Sequence, residues 1–333
     1  MNKKKKIIYN TTTKSKKAFI REQIGSYISS KAYEKQYLDK VFYKDARHME
    51  EIPDKVVDLI LTSPPYFNIK DYSKDGWQKN QHSEKIPGQI GDINDYETYI
   101  EELLKVWKEC ERVLKPNGKL VINAPIMPML KRELNTHYNR HIFDIAADIQ
   151  HSILKNIKNM FLYDIYIWNR TNWSKRLMFG SYPYPRNFYA QNTIEFITVY
   201  VKEGTPDNNI PKEIKEKSKL TEKEWLEYTK QIWNIPIPSK NDIAFGKHPA
   251  IMPEEIVRRC VKLFTYIGDI VLDPFAGSGT TLKVAKELGR HFIGYEICKA
   301  YKEVIDKKLA QITFEEFWYA KTYDKQIIRD GLF

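Results

Sequence analysis

Ser63 stands immediately before Pro64-Pro65-Tyr66, at the end of the apolar run Val56-Val57-Asp58-Leu59-Ile60-Leu61-Thr62. Tandem prolines fix two successive φ angles, and Pro64 biases Ser63 toward an extended backbone. A serine hydroxyl and a prolyl carbonyl at such a corner are two hydrogen-bond acceptors held in place. That pair suits one kind of substrate group, the exocyclic amine of a nucleobase, whose lone pair is delocalised into the ring. Two acceptors aimed at its N–H bonds favour a tetrahedral nitrogen in the transition state. Tyr66 offers a face for stacking a base drawn out of a duplex, with Phe67 as a second candidate. Far along the chain a second segment carries different chemistry, Asp273-Pro274-Phe275-Ala276-Gly277-Ser278-Gly279-Thr280-Thr281. Gly277 and Gly279 permit a sharp turn and close approach of backbone to a ligand. The helix expected to start at Thr280 presents backbone N–H donors. Phe275 can pack beside a purine or an aliphatic tail. Glu296, at the end of the next apolar run, can accept both hydroxyl protons of a ribose.

Both segments have bland readings, a rigid loop for one and a structural turn for the other. Two familiar alternatives for the glycine segment fail on single residues. A dinucleotide fingerprint needs a third glycine where Leu282 stands, and a P-loop needs a lysine where Thr280 follows Gly279. Three cysteines, Cys110, Cys260 and Cys298, form no CxxC pair, and the seven histidines show no paired ligand spacing. Neither a disulfide framework nor a metal site is indicated, and a reducing cytoplasm is the expected compartment. No apolar run approaches the ~20 residues of a membrane span, so no membrane partner is expected. The formal net charge is +11, from 54 Lys+Arg against 43 Asp+Glu, which favours a polyanionic partner.

The elements that must position these residues follow from apolar periodicity. Residues 1–36 are polar and lysine-rich and read as a basic flexible extension. Strands are expected at Lys40–Ala46, Val56–Leu61, Leu120–Asn123, Phe161–Trp168 and Glu195–Val201, with Lys115–Lys119 as a turn before the third. Helices are expected at Tyr96–Leu114 and Phe143–Ile157, and the unpatterned stretch 73–94 reads as a long functional loop. Residues 203–247 are polar, with one helix around Leu220 to Trp233, and read as an insertion. The rhythm resumes with a helix at Pro253–Phe264, the Asp273 strand, a helix at Thr280–Leu288, a strand at His291–Tyr295 and a final helix through Leu309. Alternating β and α segments with apolar strands imply an α/β fold whose sheet is mostly parallel and covered on both faces. In such sheets ligands bind at the carboxyl ends of the strands, where both motifs would lie.

Thr62-Ser63-Pro64-Pro65-Tyr66, Asp273 to Thr281 and Gly294-Tyr295-Glu296 together resemble the amino-methylating DNA methyltransferases, which act at N4 of cytosine or N6 of adenine. The resemblance covers most of the chain and is of the β arrangement, with the catalytic corner before the cofactor loop. It implies a Rossmann-like, circularly permuted, mixed but mostly parallel sheet, domains at 37–202 (catalytic) and 248–333 (cofactor-binding), and target recognition in the small insertion 203–247. Loop 73–94 and segment 123–150 are candidates to share that recognition. It implies S-adenosyl-L-methionine as cofactor, held by Asp273, Phe275, Ala276, Gly277, Gly279, Thr280 and Glu296. Asp45 matches the family's acid near the cofactor's adenine, and His248-Pro249-Ala250 matches the segment leading into the cofactor loop. Ser63, Pro64, Pro65 and Tyr66 take the catalytic places, and the methyl group passes directly from the sulfonium to the amine. The cysteines lie in no Pro-Cys context, which opposes cytosine C5 chemistry. Ser63 stands where most adenine enzymes carry Asp, and serine there is typical of the N4-cytosine enzymes, so cytosine is favoured over adenine. Lys175, Arg176 and Arg186, interleaved with aromatics, are candidate DNA contacts. The partners implied are double-stranded DNA, a cognate restriction endonuclease and a second copy of the chain. Methylation of RNA or a small amine, and a non-catalytic DNA-binding role, are the competing functions.

Overall fold

A computed structural model describes residues 36–67, 86–130, 140–172, 183–186, 190, 192–248 and 250–311. The sheet is built from β1 (Lys40–Phe42), β2 (Val57–Thr62), β3 (Leu114–Leu130), β5 (Met160–Arg170), β6 (Ile194–Lys202), β7 (Ile232–Ile235), β8 (Ile270–Asp273) and β9 (His291–Tyr295), while β4 (Arg140–Asp144) pairs only with the end of β3. Its order is β1-β9-β8-β2-β3-β6-β5-β7. The five strands from β1 to β3 are mutually parallel, β6 runs antiparallel to both its neighbours, and β7 lies parallel to β5. Strands far apart in the chain are therefore neighbours, and β8 sits directly against β2. Their carboxyl ends, Asp273 and Thr62, open on the same edge. This is the expected α/β fold with a mixed, mostly parallel sheet.

Alternate residues of each strand enter opposite cores. Ile60, Leu120, Ile122 and Leu272 join one with α1 (Tyr96–Val113) and α2 (Ile145–Asn156). Leu59, Leu61, Val121 and Val271 join the other with α5 (Glu254–Phe264), α6 (Thr280–Glu287) and α7 (Lys302–Leu309). The two-residue period of a strand covered on both faces produces this division. α1 starts at Asp95, whose carboxylate accepts from Thr98 N at 2.8 Å, and α2 starts at Asp144, which accepts from Ala147 N at 3.1 Å. These bonds satisfy donors that the first turn leaves orphaned.

Three expectations change. The turn expected at Lys115–Lys119 is an irregularity inside β3, which pairs with β2 both before it (Leu114 with Val57) and after it (Lys119 with Leu59). Asn117 takes φ +62 there, and Lys115 Nζ reaches Asp58 Oδ1 at 2.5 Å. Asp58 Oδ2 also accepts from Ile270 N at 2.8 Å, fixing β2 against β8. Secondly, the helix expected around Leu220 to Trp233 stops early. α4 (Glu222–Tyr228), with a Thr221/Glu224 capping box, ends before Trp233, which instead belongs to β7. Segment 203–247 also holds a short helix, α3 (Lys212–Lys217). Thirdly, that segment is not separate from the sheet, because β7 extends it and Trp233 is wholly buried in the second core. Among the described residues, no helix is long and apolar enough to cross a membrane.

Candidate active site

β2 and β8 deliver their last residues side by side, and one hydrogen bond joins the two motifs. Thr62 Oγ1 donates to Asp273 Oδ1 at 2.6 Å, between positions 211 apart in sequence. Asp273 also accepts from Phe275 N at 3.0 Å, which shapes the turn after the strand. Burial pushes the Asp273 carboxyl up to about 6, against the opposing pull of its hydrogen bonds from Thr62, Thr281 and Phe275 N. The corner that follows β2 is braced from α1, where Tyr99 Oη donates to the Pro65 carbonyl at 2.9 Å. Ser63 Oγ donates to Tyr66 Oη at 3.3 Å, and Tyr66 Oη donates to Glu195 Oε2 at 3.2 Å. Phe67 does not reach the cleft. It is 4% exposed and packs on Tyr96, Tyr99 and Phe143 with ring centroids 5.2, 5.4 and 6.1 Å away, so it supports the corner instead of stacking a base.

On the other side lies the glycine turn. Ala276 N donates to Tyr295 O at 2.8 Å, locking the turn to β9. Gly277 N and Cys298 N each donate to one oxygen of Glu296 at 2.8 Å. Glu296 is 8% exposed, and burial, with some repulsion from Asp273, pushes its carboxyl up to about 7 despite those two bonds. Gly277 has φ +51, and a Cβ there would sit 2.8 Å from His248 Nε2. His248 is held by Ala250 N, which donates to its Nδ1 at 3.2 Å, and by the Tyr301 ring, 4.6 Å between centroids. Asp45 faces the same cleft. Burial raises its carboxyl, but hydrogen bonds from the Arg47 backbone and guanidinium outweigh this and hold it below the usual range.

Between corner and turn is an open cleft lined by Ser63 to Tyr66, Asp45, His248, Asp273 to Ser278, Thr280 and Glu296. Thus the structure brings together every catalytic candidate and all the cofactor candidates but two. Gly279 does not line the cleft. It takes φ +79 as the residue before α6, and a Cβ on it would face Ile305 at 3.3 Å. Pro249 lies outside the described residues, as do Lys175 and Arg176. Arg186 is exposed, with φ +80, and is not part of the cleft wall. Gly88, Gln89 and Ile90 form a wall that the sequence marked only as a long loop. Arg47 Nη2 donates to Gly88 O at 2.9 Å and so ties this loop to Asp45. Glu195, Asn123 and Arg170 behind Tyr66 are legible in the sequence only as parts of strands and not as site residues, because single polar residues in apolar strands declare a partner only when the strands are paired.

The cysteines remain outside this chemistry. All three are buried and free, and burial raises each thiol, Cys260 to about 12. None is a ready thiolate at neutral pH. Among the described residues, no group of three or more His, Cys, Asp or Glu is placed to hold a metal.

A buried acid beside a glycine turn, joined to a polar corner on the adjoining strand, forms a Rossmann-like ligand cleft at the carboxyl ends of the strands. The chain belongs to the DNA methylase family of N6 and N4 amino-methyltransferases, which it matches over residues 57–307. It is 33% identical over 290 residues to the type II methyltransferase M.MjaI of Methanocaldococcus jannaschii, covering 81% of this chain and 90% of that one. It is 27% identical to the type II methyltransferase M.MthZI of Methanothermobacter thermautotrophicus, covering 81% and 76%. Among solved structures, the Thermus thermophilus protein TTHA0409 complexed with S-adenosyl-L-methionine superposes with a TM-score of 0.63 at 29% identity, covering 82% of this chain and 93% of that one. The chain is a DNA methyltransferase whose cofactor is S-adenosyl-L-methionine. The cleft suits that cofactor. It carries three carboxylates, Asp45, Asp273 and Glu296, together with the Phe275 ring, and a Cβ at Gly277 would crowd the His248 ring in its wall.

Proposed function

We propose that the protein methylates N4 of a cytosine flipped from duplex DNA, at a specific sequence, as the modification partner of a restriction endonuclease. One observation carries the base assignment. The residue before Pro64-Pro65 at the cleft is a neutral serine where most adenine enzymes of the family have a carboxylate. The type II methyltransferase names of the relatives support the restriction setting.

Glu296 accepts the ribose hydroxyls, Asp45 faces the adenine end, and Phe275 and Ala276 give apolar contact. Gly277 and His248 close the wall beside the turn, while Thr280 and Asp273 hold its shape. Gly279 lets the chain enter α6, and Pro249 continues the segment from His248. S-adenosylmethionine, when bound, supplies an electrophilic methyl group on its sulfonium. The target amine donates its two N–H bonds to Ser63 Oγ and the Pro64 carbonyl, which raises electron density at nitrogen as it becomes tetrahedral. Pro65 keeps the corner rigid, and Tyr66 stacks on the flipped base. Lys175, Arg176 and Arg186 contact phosphates, and 203–247 reads the target sequence. Since β7 and Trp233 serve the sheet, the reading surface within that segment is its helical part and loops. A homodimer of the β arrangement fits the same proposal.

The test is product analysis. Duplex DNA methylated by the protein is digested to nucleosides and the methylated species identified by mass. N4-methylcytosine is expected. N6-methyladenine as the sole product would reassign the base and leave the cofactor site intact. Methyl transfer to RNA in place of duplex DNA would replace the substrate assignment altogether.

A further inference from the structure

Serine has one hydroxyl hydrogen and two lone pairs, so it donates as readily as it accepts. An acceptor corner is spoiled if that hydrogen points at the amine. An aspartate in the same place has no hydrogen to misdirect, so a serine corner needs a device that the carboxylate corner does not.

Behind the corner, Glu195 at the start of β6 is 5% exposed. Among the described residues, donors from β3, β5 and the corner after β2 meet its carboxylate. Asn123 Nδ2 on β3 donates to Oε2 at 2.6 Å, Tyr66 Oη to the same oxygen at 3.2 Å, and Arg170 Nη1 on β5 to Oε1 at 3.3 Å. The strand register holds this arrangement, with Glu195 opposite Pro125 on one side and Trp168 on the other. A carboxylate only accepts. Tyr66 therefore spends its one hydroxyl hydrogen on Glu195 and presents a lone pair to Ser63 Oγ, 3.3 Å away. Ser63 in turn spends its hydrogen on Tyr66.

We propose that Glu195 is a positioning residue that, through the Tyr66 hydroxyl, turns the Ser63 hydroxyl so that only its lone pairs face the target amine. Tyr66 thus has two separable parts, a ring face for the base and a hydroxyl that polarises Ser63. The role rests on Ser63 being the amine acceptor, as proposed above, and the assay separates the two ideas.

Single-turnover methyl transfer to duplex DNA is measured for Ser63→Ala, Tyr66→Phe and Glu195→Gln, and for the latter two changes combined with Ser63→Ala. Cofactor affinity is measured on each protein by calorimetry. Tyr66→Phe keeps the stacking ring and Glu195→Gln keeps the shape, so each should slow transfer on the order of tenfold, the scale of one lost hydrogen bond, with KM for DNA and cofactor affinity unchanged. Neither should slow the Ser63→Ala protein further, because the hydroxyl they orient is gone. Full additivity in the Ser63→Ala background would overturn the positioning role and leave Ser63 as the acceptor. Full rate in Ser63→Ala itself would overturn both. If Glu195→Gln does not fold, because Arg170 loses its charged partner, Tyr66→Phe alone carries the test, since it leaves that pair in place. Full rate in Tyr66→Phe would then overturn the role.

Discussion

Glu296 is the residue at which proton uptake and cofactor binding should be coupled. Its two oxygens already hold the backbone at Gly277 and Cys298, and burial raises it to about 7. Its ordinary value is 4.5, so the folded, cofactor-free state binds this proton more tightly than the unfolded chain. Its contribution to stability therefore falls as pH rises between about 4.5 and 7, and Asp273 acts in the same direction up to about 6. A ribose acceptor must be ionised, so cofactor affinity should rise with pH up to about 7 and then level. Calorimetry across that range should show the rise in the native protein and not in Glu296→Gln, which should also bind more weakly; identical profiles would remove Glu296 from ribose binding. The two glycines of the turn should separate as well. Gly277→Ala should weaken cofactor binding, because its Cβ meets His248, whereas Gly279→Ala should lower thermal stability by about 1 kcal/mol, the usual cost of a left-handed non-glycine residue, with affinity retained. Equal loss of affinity in both would contradict the assignment of their roles.

At the scale of elements, the cofactor half was the more legible. The strand at His291–Tyr295 and the starts of α1 and α6 fall where apolar periodicity put them, because those segments are buried on a regular face. The Leu220–Trp233 reading failed at Trp233. A tryptophan eight positions after Trp225 satisfies a helix pattern, yet four residues, Ile232–Ile235, are too few to show the alternation of a strand. The β3 irregularity was misread for a related reason. Pro116-Asn117-Gly118 has turn chemistry, and only the pairing of β2 with Leu114 keeps the strand running through it. At the corner, Tyr66 was legible and Phe67 was mistaken, since both are aromatic and only packing distinguishes a cleft wall from a core. β7 gives this scale its test. Trp233→Ala should destabilise the main unfolding transition by about 3–5 kcal/mol, as for large core truncations. Trp225→Ala, on α4 and 57% exposed, should leave it nearly unchanged. Equal, small effects in denaturant titrations would mean that 203–247 unfolds apart from the sheet.

Across the whole molecule, the +11 charge suits a polyanionic partner, and the sheet order brings both motifs to one cleft. DNA affinity should fall with salt, with a log–log slope of about −0.9 per phosphate contacted. Removing charge at Lys175, Arg176 and Arg186 together should flatten that slope; an unchanged slope would place the contacts elsewhere. The global arrangement could be read from sequence as far as the order of two motifs, but their distance could not. It depends on β8 pairing with β2 and on the bond from Thr62 to Asp273, both set by the sheet. The central claim is that these motifs form one cleft with two duties, the amine at Ser63 and the cofactor at Glu296. The most direct test measures both duties on one Ser63→Ala preparation. Turnover on duplex DNA should fall by about 10²-fold, the scale of one lost transition-state hydrogen bond, while S-adenosylmethionine affinity by calorimetry stays at the native value. Native turnover in that variant would contradict the claim.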